Sequence, residues 1–201
     1  LDLDALEADR AALIRQYHRH GYADVKIGPA IIRKPAGLDG LRLTWPIEQE
    51  GRVFRLGYIG VDADLDIPRA KLAPVLAIMA GETYNGDEIR KARLRLQDFL
   101  LEHGYGFAAV RVETELQHAT SRIDVVFVVD AAERVRLRQL NLRGVRATNP
   151  RILKREVTLT KGDYFRLSTL QETQAALSQM PMFTDVDVTF ARLPGQDAFD
   201  L

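Results

Sequence analysis

The residue types that most often carry chemistry are sparse in this 201-residue chain: four histidines, no cysteine, and 28 acidic residues balanced by 28 basic ones. His18 and His20 are two apart on a helical stretch and point to different faces, while His103 and His118 fall near a helix end and in a turn. Metal ligands must converge on one point, and these do not. Gly104-Tyr105-Gly106 has the first part of a dinucleotide fingerprint, but it follows a helix and enters a strand, the reverse of the required context. It reads as a helix stop. No Gly-x-Ser-x-Gly stretch occurs, and the acids are spread along amphipathic surfaces rather than paired. Trp45, Tyr22, Tyr105 and Phe127 could be drawn as a ligand cage, yet each sits on or beside an apolar strand face, where core packing accounts for it. The expectation is a chain with no catalytic, metal or cofactor site, whose chemistry is binding.

Composition narrows the partners. A formal net charge of zero argues against the electrostatic attraction that dominates binding to nucleic acid or anionic membranes. Without cysteine there is no disulfide framework and no thiolate metal site. No apolar run approaches the roughly 18 residues of a membrane span, and residues 1 to 20 read as a capped amphipathic helix rather than a signal peptide, so the expectation is a soluble chain.

The elements that position everything else are clearest between Asn85 and Asp130. Ile89, Ala92, Leu96, Phe99 and Leu100 recur at helical spacing. Asn85 can cap this helix, Glu88 sits where a capping box needs it, and Gly104 can end it. Val110, Val112, Thr114 and Leu116 then alternate with charged residues, as do Ile123, Val125, Phe127 and Val129 with their neighbours, which predicts a β-hairpin. Upstream, a helix is expected from about Asp4, its N-cap, to His20, with Leu6, Leu13, Ile14 and Tyr17 as the apolar stripe and Gly21 as the stop. A strand from Val25 through Ile32, a turn over Pro35 to Gly40, and a strand alternating at Leu41, Leu43, Trp45 and Ile47 follow, with Pro46 removing one ladder donor. Next come a strand from Arg52 to about Val61 and a helix from Asp66, as possible cap, to about Ala77, where Pro74 predicts a kink or early stop.

Downstream, Arg134-Val135-Arg136-Leu137 starts a strand reaching Leu142, whose inner face shifts phase and so suggests a bulge. Asn149-Pro150 signals a helix start leading through Ile152, Leu153 and Val157. Ser168 and Gln171 read as a capping box for a helix carrying Leu170, Leu177 and Met180. Phe183, Val186, Val188 and Phe190 read as strand, and a last strand begins at Ala198.

Three landmarks repeat at nearly one period: Gly21 to Gly104 is 83 residues, Arg52 to Arg134 is 82, and Gly81 of Gly-Glu-Thr-Tyr to Gly162 of Gly-Asp-Tyr-Phe is 81. Such self-similarity marks tandem units of α+β class, each strand-helix-helix-strand-strand, with two amphipathic helices on one face of a small sheet. The expected boundaries are 1–50 for a unit without its opening strand and helix, 51–132 for a complete unit, and 133–201 for a third. Linkers of only about three or four residues restrict swing between units.

Gly21-Tyr22-Ala23-Asp24-Val25, Gly81-Glu82-Thr83-Tyr84-Asn85, Gly104-Tyr105-Gly106-Phe107 and Arg155-Glu156 together resemble the POTRA repeats of the BamA family of outer-membrane β-barrel assembly proteins. The resemblance covers nearly the whole chain and is strongest to part of the third repeat, then the fourth and fifth. Met180-Pro181-Met182-Phe183 departs from it, since the family usually has a Gly-aromatic stop there and proline must end the helix instead. The resemblance implies β-α-α-β-β repeats on a three-stranded mixed sheet, in the periplasm, with the membrane reached only through a C-terminal barrel that this sequence lacks. It implies that the first strand of each hairpin is a sheet edge: Val25, Lys26 and Ile27 toward Ile32; Val110, Arg111, Val112, Glu113 and Thr114 toward Leu116; Val186 and Val188 toward Phe190. An open edge offers backbone groups to an extended peptide such as an unfolded outer-membrane protein. Edge charges such as Arg111, Glu113 and Glu115 equally suit a device that discourages pairing. The resemblance further places Arg155 and Glu156 where the family contacts accessory lipoproteins such as BamD. The related TamA proteins carry the same repeats. KH RNA-binding modules share the element order but need a Gly-x-x-Gly loop, and Met79 to Tyr84 has only Gly81.

Overall fold

The computed structural model describes residues 2–35, 40–130, 133–141, 157, 159–180, 186–193 and 197–201. The chain divides into two compact units, Leu1–Asp62 with Arg69–Arg93 and Val112–Val128, and Ala63–Pro68 with Leu94–Arg111 and Val129–Leu201. The fold is α+β with mixed sheets. Among the described residues no helix is long and apolar enough to cross a membrane.

In the first unit, α1 spans Leu3–Arg19 and is capped by Asp2 rather than Asp4: the Asp2 carboxylate accepts from the Asp4 and Ala5 N–H groups at 3.0 and 3.3 Å. Asp4 lies in the first turn, where its charge still complements the helix dipole. Of the expected stripe only Leu6 is buried, and Leu13 is 39% exposed. The strand that α1 contacts is only two residues long and too small to cover the rest. The two expected strands of the first hairpin are each broken in half. β1 (Lys26–Ile27) pairs antiparallel with β4 (Ile47–Gln49), and β2 (Ile31–Arg33) with β3 (Arg42–Thr44). Pro29 and Pro46 sit in the two gaps, where a missing N–H interrupts both ladders. Val25, expected in the strand, is buried just outside it.

The most regular architecture follows. β5 (Arg55–Asp62) leads to α2 (Arg69–Leu76), which begins after Pro68 and ends two residues past Pro74. The helix starts at Arg69, which leaves Pro68 and not Asp66 at the cap position; the Asp66 N–H donates to the Tyr105 hydroxyl at 3.1 Å. α3 (Gly86–Glu102) is capped by Asn85, whose side-chain oxygen accepts from the Asp87 and Glu88 N–H groups at 2.9 and 3.4 Å. Glu88 does not close the box; it pairs with Lys91 at 2.9 Å. β6 (Ala109–Gln117) and β7 (Arg122–Asp130) complete a three-stranded sheet in the order β5-β7-β6, with β5 parallel to β7. Along β7, Ile123, Val125, Phe127 and Val129 are buried in strict alternation, as the sequence requires.

In the second unit, the described residues include β8 (Arg136–Gln139), β9 (Ala191–Arg192) and β10 (Ala198–Asp200), which form a sheet in the order β8-β10-β9, and the helix α4 (Leu167–Ser178). β10 runs parallel to β8 and antiparallel to β9. The bulge expected in β8 is present: Phe199 faces Leu137 and Asp200 faces Gln139, so Arg138 has no partner in the ladder and its side chain binds Asp200 at 2.9 and 2.5 Å. Val135, Leu137, Val157, Leu159, Phe165, Leu170 and Phe199 make the core. Val186 and Val188 lie outside any strand, and the Val186 carbonyl accepts instead from the Gln174 side chain at 3.1 Å. The helix start expected at Asn149 falls outside the described residues.

Candidate binding edge and inter-repeat junction

Three segments are candidate strand-binding edges, and they differ in how much backbone they present. β1 is two residues long, and the Ile27 carbonyl already accepts from Arg10 Nη1 at 3.1 Å. Near Val186 and Val188 the edge strand is the two-residue β9. β6 is nine residues long and closes one end of its sheet. Arg111, Glu113, Thr114 and Glu115 along it are exposed, Val110 is buried, and Val112 and Leu116 are half-buried. The expected inner face therefore fades at Thr114. A strand in this position has one side of its backbone paired with β7 and the other facing away from the sheet, the arrangement that accepts an added strand. Arg155 and Glu156, the candidate lipoprotein contact, lie outside the described residues.

The other candidates resolve into packing. Phe127 and Tyr105 are 0% and 4% exposed, and Tyr22 packs edge-on against Tyr17 with ring centroids 5.6 Å apart. Trp45 is half-buried with its indole N–H unpartnered. His103 stacks on Phe99 at 4.0 Å, His118 lies edge-on to Phe54 at 5.6 Å, and His18 lies edge-on to Tyr84 at 6.1 Å with its pKa lowered by burial.

Sequence reasoning missed what the Gly-Tyr stops do. Gly21 and Gly104 end α1 and α3 at φ +95° and +100°, and the following tyrosine N–H groups reach back to the Tyr17 and Leu100 carbonyls at 3.1 and 3.0 Å. That is a Schellman closure in both places. Each glycine carbonyl then accepts an N–H from the start of the next repeated segment, Phe54 to Gly21 at 2.9 Å and Val135 to Gly104 at 2.9 Å. Around this bond the same network recurs. Leu56 and Leu137 donate to the Glu82 and Asp163 carbonyls, both at 2.8 Å. Tyr84 and Phe165 donate to the Phe54 and Val135 carbonyls, both at 3.0 Å. Arg55 and Arg136 each tie Nη1 to the carbonyl of Gly81 or Gly162, at 3.0 and 2.8 Å. The stop is thus both a helix terminator and a docking point for the strand that follows.

A side-chain bond reinforces each junction, with different chemistry at equivalent places. Arg19, at the end of α1, pairs with Asp87 in the first turn of α3. Glu102, at the end of α3, accepts from the Ser168 N–H at 3.0 Å and the Ser168 hydroxyl at 2.8 Å in the first turn of α4. This overturns the local capping box at Ser168 and Gln171: the residue at the N-cap position, Arg166, makes no side-chain capping bond, and the cap comes from another helix. The signal was in the sequence, since Arg19 and Glu102 are 83 apart and Asp87 and Ser168 are 81 apart. Burial pushes the Glu102 carboxyl up, but the two Ser168 bonds outweigh it and hold the group below its ordinary range. A lowered folded pKa stabilises above the unfolded value and is lost as pH falls through the folded one. Glu102→Ala is therefore expected to cost about 1–2 kcal/mol at neutral pH, as for loss of a cap, and less in acid. Urea unfolding of both proteins at neutral pH and in acid checks this; an equal difference at both pH values would contradict it.

Comparison with known proteins agrees with this architecture. The POTRA family, described as a surface antigen variable number repeat, matches residues 55–132. The outer membrane protein assembly factor BamA of Nitratidesulfovibrio vulgaris is 25% identical over 98% of this chain, and that of Neisseria meningitidis serogroup B 21% identical over 92%. The chain spans 25% and 23% of the lengths of these relatives. Among solved structures, Haemophilus influenzae BamA POTRA3-5 superposes with a TM-score of 0.76 at 22% identity, covering 96% of this chain and 77% of that one. BamA from Haemophilus ducreyi lacking POTRA domains 1-3 gives 0.65 at 19% identity, covering 73% of this chain and 28% of that one.

Proposed function

We propose that this chain, similar throughout to the POTRA repeats of BamA-type outer membrane protein assembly factors, binds unfolded barrel proteins by adding their strands to β6. The observation that carries this reading is the nine-residue β6 at one end of its three-stranded sheet. Backbone hydrogen bonds give affinity with little demand on sequence, which suits a receptor for many different chains. On this reading the repeats divide at 1–50, 51–132 and 133–201, and they work in the periplasm as the part of an outer-membrane protein that meets its clients. No nucleic acid takes part, and neither a metal nor a cofactor is needed.

A strand-derived peptide with N-methyl groups on alternate residues tests the mechanism, because along a strand only every second N–H faces the neighbour. One of the two alternating phases is expected to weaken binding at least about tenfold while the other is tolerated. Equal loss, or no loss, in both phases would remove strand addition as the mode.

Accessory lipoproteins such as BamD are proposed to dock at Arg155 and Glu156, on the strength of the local motif. Glu156→Lys is expected to weaken that binding without changing the fold. An unchanged affinity would withdraw the role.

A further inference from the structure

The sheet β5-β7-β6 has a second end, at β5, and part of that end is already paired. Residues 81–83 run antiparallel along the start of β5: Arg55 bridges Thr83, the Leu56 N–H donates to the Glu82 carbonyl at 2.8 Å, and the Gly81 N–H donates to the Leu56 carbonyl at 2.7 Å. A turn closed by the Glu82 N–H on the Met79 carbonyl at 3.3 Å then takes this segment off the edge, while β5 continues to Asp62. Among the described residues, nothing but β7 bonds the backbone of residues 57–61. A groove of about 490 Å³ lies there, within the size range of ligand clefts. Side chains along a strand alternate between the two faces of a sheet, so five consecutive residues, 57–61, line one groove only by presenting the backbone edge. Opposite them stand Arg69, Ala73 and Leu76, spaced by four and three and so on one face of α2. Small residues at 57, 60 and 73 leave room for another backbone, and Arg69 is the only charged residue on the walls. It is exposed and makes no ion pair or hydrogen bond among the described residues.

We propose that this groove binds an extended, acidic segment of a partner protein, which pairs antiparallel with residues 57–61 where residues 81–83 leave off and sets a carboxylate on Arg69. The chain's own pairing at Arg55 and Leu56 shows that this edge accepts a strand in that direction. A backbone ladder alone has little preference for sequence, whereas a lone cation on the facing wall favours a strand that brings an acid. The groove therefore selects its occupant by charge, as the β6 edge is not required to do. The two sites are independent, since β5 and β6 lie at opposite ends of one sheet.

Backbone amide shifts of the whole chain, titrated with a short peptide of alternating threonine and valine carrying one central glutamate, test it. Residues 57–61 are expected to shift, and the glutamine counterpart of the peptide to bind there about three- to fivefold more weakly, the range of an exposed ion pair. In Arg69→Glu the preference is expected to reverse, with a lysine counterpart binding more tightly than the glutamate peptide. Amide signals away from the groove that match the wild type show that this variant is folded; should it not fold, the glutamate and glutamine peptides compared on the wild type still decide. Equal affinity of those two peptides, or no shift at residues 57–61, overturns the proposal. So do shifts at residues 57–61 on concentrating the chain alone, which would give the groove to a second copy. Shifts at Ala109–Gln117 alone would sink the groove and leave the β6 reading standing, whereas shifts at residues 57–61 alone would do the reverse.

Discussion

Replacing Phe165 with alanine is expected to destabilise the protein by about 3–5 kcal/mol, the range for removing a fully buried aromatic ring. Phe165 is 0% exposed and lies against Phe190 and Phe199 with ring centroids 4.8 and 5.3 Å away. A Cβ at Gly106 would come within 2.8 Å of the ring, so the glycine is what lets the chain after the Gly-Tyr stop approach it. The cavity left by alanine would be bounded by Val135, just before β8, and by Leu137 of β8 and Phe199 of β10, two strands whose pairing is short and cannot close around it. Denaturant unfolding measures the loss. A difference below about 1 kcal/mol would mean that this core collapses around the gap or is not formed.

Gly21→Ala is expected to cost about 2–5 kcal/mol, from two separate sources. The left-handed backbone at φ +95° costs a residue with a Cβ about 1–2 kcal/mol. The added methyl would also come within 2.8 Å of Val53, 2.9 Å of Thr83 and 3.4 Å of the Phe54 carbonyl, an overpacking that costs about 1–3 kcal/mol. Gly81→Ala separates the two, because Gly81 has a similar φ of +89° but nothing within 4 Å of its Cβ position. The Gly81 variant should show the backbone cost alone. Hydrogen exchange at the Phe54 N–H, which donates to Gly21, should accelerate in the Gly21 variant and stay near wild type in the Gly81 variant. Equal destabilisation by both would mean that the junction is not tightly packed.

How far the sequence could be read depended on whether a feature was local. α3, its Asn85 cap and β7 follow from period and capping chemistry sustained over many residues. The bulge in β8 showed as a phase shift between Leu137 and Leu140. The hairpin of residues 25 to 49 was harder: alternation at Leu41, Leu43, Trp45 and Ile47 looks unbroken, but hydrogen-bond pairing is interrupted at Pro29 and Pro46. Asp2 and Asp4 are equally competent caps, and only the geometry of the chain start separates them. The Ser168 box failed because a short pattern cannot register a carboxylate 66 residues away. The end position of β6 is a property of the whole sheet, and it came from the resemblance, not from the alternation along the strand.

The most direct test of strand addition is to follow backbone amide signals while a peptide from an unfolded barrel strand is titrated into the chain. Shifts should concentrate on Ala109–Gln117, with new exchange protection at alternate residues of β6. Shifts confined to α2, α3 and α4, with the β6 amides unmoved, would contradict the account.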